Sequence, residues 1–153
     1  MIIIGVDPGT RYAGYAILKK EKRKIEILEA GCLDIHKEKT LAKKIHSLYE
    51  FITGKVKEYR VTHLSLETPF LYKNAATFLK LGYVRGILYL ISEQNSLILF
   101  EFSPSEIKQR TTGNGRASKE QVAEVIIRLF KIKKPQKDDT TDALACAYCG
   151  LQN

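Results

Sequence analysis

The chain opens on an apolar run, Ile2, Ile3, Ile4 and Val6, that stops at an acid, Asp7. The run is short, β-branched and too continuous for a half-exposed strand, which predicts a central strand buried on both faces. Pro8-Gly9 then forces a tight turn, and the pattern resumes over residues 12–18, so the simplest reading is a hairpin that leaves the Asp7 carboxylate at the sheet rim. An aspartate ahead of Pro-Gly is equally suited to bonding its own backbone, and this stretch alone does not separate the two readings. Lys19, Lys20, Glu21, Lys22, Arg23 and Lys24 read as a solvated hairpin tip, and Ile25, Ile27, Leu33 and Ile35 carry a third strand over 24–35.

The period then changes. Leu41, Ile45, Leu48, Ile52 and Val56 recur at helical spacing and predict an amphipathic helix over 41–58. Residues 62–67 alternate as a strand with Leu64 and Leu66 on one face, and this strand, like the first, stops at an acid, Glu67. Asn74 is placed to cap a long apolar helix reaching Gln94. A fifth strand is expected over 96–100. Ser103, Pro104 and Glu106 form a capping box with proline at the first helical position, starting a short helix to about Arg110. A glycine-rich break at 112–116 follows. Ser118 with Gln121 then caps a helix carrying Val122, Val125, Ile126, Leu129 and Phe130, which Pro135 stops. A last helix begins at Asp138 or Asp139 and ends at Gly150. Three early strands followed by alternating helix and strand predict an α/β fold, a sheet of about five strands with helices on both faces, in a single domain spanning 1–153.

With 153 residues the chain can bury a core without staples. Its cysteines, Cys32, Cys146 and Cys149, are odd in number and lie in apolar sequence, which reads as reduced core thiols in a cytoplasmic protein. Cys146-x-x-Cys149 lacks placed partners for a zinc site, so packing is the expectation. No segment approaches the length of a membrane span and no basic leader precedes Ile2, so no membrane association is expected. Charge adds more: 25 Lys+Arg against 17 Asp+Glu leave a net +8, which suits a polyanionic partner. The excess concentrates between Lys108 and Lys137, where nine basic residues, among them Arg116 and Lys119, face only Glu120 and Glu124.

Beside that basic stretch lie acids that packing does not explain. Asp139 and Asp142 share a face of the last helix's first turn, as Asp138 and Asp142 would, and the helix N-terminus favours their ionised forms. Cap and dipole roles satisfy Asp138. Asp142, however, sits in Asp-Ala-Leu-Ala among residues expected to bury, where an unpaired charge is expensive. Asp7, Glu67, Asp139 and Asp142 can converge at one rim. Such a set of hard oxygen ligands points to Mg²⁺ or Mn²⁺, and two such ions about 4 Å apart are the known device for in-line phosphodiester displacement.

At these residues the sequence resembles the RuvC family of Holliday junction resolvases, within the ribonuclease H-like superfamily. The resemblance runs through Gly5-Val-Asp7-Pro-Gly-Thr-Arg11 with Gly14-Tyr15, Glu67-x-x-Phe70 with Lys73-Asn74-Ala75, Leu81-Gly82-x-x-Arg85-Gly86, Gly113-x-Gly115 with Lys119-x-Gln121-Val122, and Asp139-x-x-Asp142-Ala-Leu-Ala145. It implies a ribonuclease H-like mixed sheet, Mg²⁺-dependent cleavage of four-way DNA junctions, and Asp7, Glu67, Asp139 and Asp142 as the metal-binding catalytic carboxylates, with two ions per site. It further implies that Lys108 and Lys119 match basic residues near the scissile phosphate and that Phe70 matches an aromatic stacking on a junction base. An aromatic three residues past a site acid suits stacking in its own right, although anchoring of the loop is its plain alternative. Lys73 and Arg116 join the DNA-contact candidates, and Lys119, at a helix start, can meet a phosphate with both ammonium and backbone N–H groups. Asp138 beside Asp139 leaves their assignment exchangeable.

Paired nicks in strands of like polarity require two sites, so a homodimer is expected. Its interface is expected on the helix from Asn74 to Gln94, where Gly82 and Gly86 are flanked by Phe78, Leu81 and Leu90. A branch-migration motor is a further partner that the resemblance implies. The competing enzyme reading is another ribonuclease H-like nuclease acting on RNA, such as the YqgF-like proteins, which match Glu67-x-x-Phe70 less well. A sugar kinase or actin-like ATPase needs a second related half that 153 residues do not hold. A non-catalytic nucleic-acid-binding module leaves four carboxylates beside DNA phosphates without a reason.

Overall fold

Five strands form one mixed sheet in the order β3-β2-β1-β4-β5: β1 (Ile2–Asp7), β2 (Tyr12–Glu21), β3 (Lys24–Asp34), β4 (His63–Glu67) and β5 (Ile98–Phe102). β1 pairs antiparallel with β2 and parallel with β4, and so lies at the centre, as its unbroken apolar run requires. The computed structural model describes residues 1–68, 75–133 and 138–153. Asn74, Phe70, Lys73 and Pro135, which carried expectations above, lie outside the described residues.

Strand parity divides the core in two. Ile4, Val6, Leu64 and Leu66 face α1 (Leu41–Tyr59) and α2 (Ala75–Gln94), packing on Leu48, Ile52, Val84 and Leu88. Ile3, Ala16 and Leu18 face the other way, onto α3 (Pro104–Thr112), α4 (Lys119–Phe130) and α5 (Asp138–Gly150). Gly5 and Asp7 share the parity of Ile3, so the acid at the end of β1 points to the α5 side.

Two glycines let α5 lie directly on the sheet. A Cβ on Gly5 would stand 2.4 Å from the Ala143 carbonyl oxygen, and one on Gly14 would stand 2.0 Å from that of Asp139. Any larger residue would push the start of α5 off the strands. Cys146 and Cys149 are buried in this layer as free thiols, in keeping with packing.

The capping boxes occur as expected. Ser103 with Glu106 opens α3, and Ser118 with Gln121 opens α4. The fifth strand differs. It runs two residues later than 96–100, because Ser96 turns with φ 52° and the ladder to β4 pairs His63 with Ile98 and Glu67 with Phe102. The polar Glu101 obscured that register in the sequence. Cys32 also departs from the core assignment: it is half-buried, with its thiol 3.8 Å from Asp139 Oδ2.

Candidate active site

Register builds the site before any side chain is considered. Asp7 pairs with Gly14, and Gly14 with Cys32, while Glu67 follows one step beyond the parallel Val6–Leu66 pair. Cys32, Gly14, Asp7 and Glu67 thus form a row along the rim, and Glu67 continues it to Phe102. The gap at Gly14 admits the first turn of α5. Asp139 and Asp142 arrive there on one helical face.

The result is a cavity of about 580 Å³ lined by Asp7, Glu67, Asp139 and Asp142 together with Lys108 and Lys119. Six of the sequence candidates therefore meet in one place. Asp139 lines this cavity, whereas Asp138 is exposed and lines an adjoining depression with Glu120 and Glu124 that shares Lys119 and Asp142 with it. Arg116 is exposed in the turn before α4 and does not line the cavity. Leu81, expected beside a dimer face, lines the cavity, and Gly82 and Gly86 lie on the open side of α2.

Electrostatics single out Asp7. Burial, followed by repulsion from Asp142, Asp139 and Glu67, pushes its carboxyl up from 3.8 to about 7, against the pull of Lys119. Glu67 is raised by burial and by Asp142, with Lys119, Lys108 and Arg85 opposing. Lys119 Nζ lies 2.7 Å from Asp142 Oδ2. Burial works against the Lys119 charge, but its hydrogen bond and attraction to Asp142 outweigh that and raise its pKa. The same pair does not settle Asp142, which burial, with Asp139 and Asp138, still raises. Lys119 and Lys108 together supply less positive charge than the four acids can carry.

Hard oxygen donors with surplus negative charge fit a divalent cation such as Mg²⁺ or Mn²⁺. Among the described residues, no group of three or more Asp, Glu, His or Cys side chains encloses an ion as it stands. Lys119 holds one oxygen of Asp142 instead. Sequence reasoning missed two neighbours of the acids. Cys32 contacts Asp139, a consequence of cross-strand register with no local signal. Arg85, a buried cation in an apolar helix, donates to the Glu67 backbone carbonyl, and its position inside an apolar pattern was the available clue.

Comparison with known proteins bears on the family and the fold. The chain is 37% identical over 152 residues to crossover junction endodeoxyribonuclease RuvC of Pelodictyon phaeoclathratiforme, covering 99% of this chain and 80% of that protein. It is 35% identical over 153 residues to the protein of the same name from Natranaerobius thermophilus, covering 99% and 95%. The fold matches T. thermophilus RuvC, solved in complex with a Holliday junction substrate, with TM-score 0.89 at 22% identity over 97% of this chain and 92% of that one. The yeast mitochondrial Holliday junction resolvase Ydc2 shares the fold more distantly, with TM-score 0.69 at 13% identity over 96% of this chain and 76% of that one. The family profile described as crossover junction endodeoxyribonuclease RuvC matches residues 3–150, and the chain belongs to that family.

Proposed function

We propose that this protein is a structure-selective endonuclease that resolves four-way DNA junctions by metal-dependent hydrolysis of phosphodiesters in recombination and repair. The observation that carries the reading is the convergence of Asp7, Glu67, Asp139 and Asp142 with Lys108 and Lys119 in one cavity at the sheet rim. Two divalent ions, Mg²⁺ or Mn²⁺, would supply activation of the attacking water and stabilisation of the leaving oxygen when bound. The four carboxylates would hold them. Asp7, central and least willing to ionise, would hold a cation as the carboxylate, its proton passing to solvent. Lys119 releases Asp142 and turns its ammonium to the scissile phosphate, while Lys108 approaches from the Glu67 side. Phe70 stacks on a junction base, with Lys73 and Arg116 on flanking phosphates.

Symmetric cleavage calls for two copies. α2 supports this, because Leu79, Tyr83 and Leu90 are exposed around Gly82 and Gly86, opposite the side that packs Val84, Leu88 and Ile91 on the sheet. An apolar stripe of this kind marks an interaction surface, and the twofold partner is a second copy of the chain. Family membership extends the proposal to a branch-migration motor that delivers junctions. No described helix is long and apolar enough to cross a membrane.

The test offers labelled four-way junction, linear duplex, flap and RNA–DNA hybrid, each with Mg²⁺ or with EDTA. Paired nicks in the junction alone, and only with metal, are expected. Preferred cleavage of the hybrid would favour an RNA-directed enzyme, and binding without cleavage on any substrate would leave a non-catalytic module.

A further inference from the structure

Arg85 is the charged residue that the cavity does not account for. It lies on α2 with its side chain only 6% exposed, on the helix side that buries Val84, Leu88 and Ile91. One guanidinium nitrogen donates to the backbone carbonyl of Glu67. The other donates to Glu101 Oε1 on β5 and, at 3.1 Å, to the Tyr89 hydroxyl. Tyr89 in turn donates to Glu101 at 2.8 Å and lies against the guanidinium, 5.6 Å from Cζ to the ring centroid.

Burying a cation is costly, so what it satisfies is informative. The Glu67 carbonyl stands where β4 ends and its neighbours stop supplying donors. β1 continues into Pro8 and β5 into Ser103-Pro104, and the prolines have no N–H. The Ser103 N–H is committed to Glu106 Oε2 at 2.7 Å, inside the α3 capping box. On the β5 side the ladder runs one residue further, with Thr68 N–H donating to the Phe102 carbonyl at 2.7 Å, so it is on the β1 side, at Pro8, that the Glu67 carbonyl loses a strand donor.

We propose that Arg85 is a positioning residue: its fork ties the backbone of Glu67 to Glu101 and Tyr89, and so fixes where the Glu67 carboxylate meets the metal. The proposal rests on the reading of Glu67 as a metal ligand. Arginine is required because a single ammonium does not span a carbonyl on one strand and a carboxylate on the next in one plane. Tyr89 is 38% exposed and lies beside the apolar stripe of α2, so the clamp also links that face to the carboxylates.

The experiment measures Mn²⁺ binding by calorimetry without DNA, thermal unfolding in EDTA, and single-turnover junction cleavage, for wild type, Arg85→Gln, Arg85→Lys, Glu101→Gln and Glu67→Gln. Outer-shell partners of metal ligands typically contribute 10–100-fold in affinity or rate. Folded Arg85→Gln is expected to lose about tenfold in Mn²⁺ affinity and to slow the cleavage step with junction affinity retained, and Arg85→Lys to recover part of both. A loss of thermal stability alone, with metal affinity and cleavage unchanged, overturns the proposal. If Arg85→Gln does not fold, Glu101→Gln decides: weaker Mn²⁺ binding supports the clamp, and wild-type binding overturns it. Glu67→Gln separates the two levels, since unchanged Mn²⁺ binding there overturns the reading of Glu67 itself.

Discussion

Asp7→Asn is expected to stabilise the metal-free protein while destroying its activity. The Asp7 carboxyl is raised from 3.8 to about 7 in the fold. The folded protein therefore keeps this proton where the unfolded chain has lost it. Stability is highest below pH 4, declines as pH rises towards 7, and is flat above. Each pKa unit corresponds to about 1.4 kcal/mol, so ionised Asp7 costs the metal-free fold about 4 kcal/mol at pH 8. For a domain of this size that is roughly 10 °C in melting temperature. Asparagine keeps the shape and removes the charge. In EDTA the variant should melt above wild type at pH 8, with most of the gap closing by pH 5. Mg²⁺ at pH 8 should raise wild type more than the variant, because only wild type has the charge to neutralise. A gap of the same size at pH 5 and pH 8, or a variant less stable at both, would refute the argument that mutual repulsion and burial strain Asp7.

Glu67→Gln, Asp139→Asn and Asp142→Asn should each abolish junction cleavage yet still shift the junction on a native gel in EDTA, whereas Asp138→Asn, exposed and outside the cavity lining, should remain active. Lys119→Ala should slow cleavage strongly and Lys119→Arg less, and Lys119→Met should bind Mn²⁺ more tightly than wild type in calorimetry, because the pair with Asp142 no longer competes. Gly14→Ala should cost about 1–3 kcal/mol in denaturant unfolding and weaken metal binding, since its Cβ would displace the backbone of Asp139. Gly86→Leu should leave the melting temperature intact, having open space around it, and shift sedimentation at micromolar concentration from dimer to monomer; a dimer that persists would move the interface off α2.

Local chemistry determined most of the elements. β-branched runs, capping boxes and a change of period are written residue by residue, and they place Asp7 and Glu67 at strand ends without any tertiary information. The resemblance named the acids because its motifs are local too. What the sequence left open was set by contacts between distant segments. That Asp139 rather than Asp138 lines the cavity follows from α5 settling into the space at Gly14, and a helical face alone does not say which turn meets the sheet. The shift of β5 comes from its ladder with β4, which draws in the polar Glu101 for a partner, Arg85, that lies 16 residues away in sequence. Cys32 reaches Asp139 only through the β3–β2 register. Burial and the nearness of like charges, which raise Asp7 to about 7, exist only once β1, β4 and α5 have met at one rim.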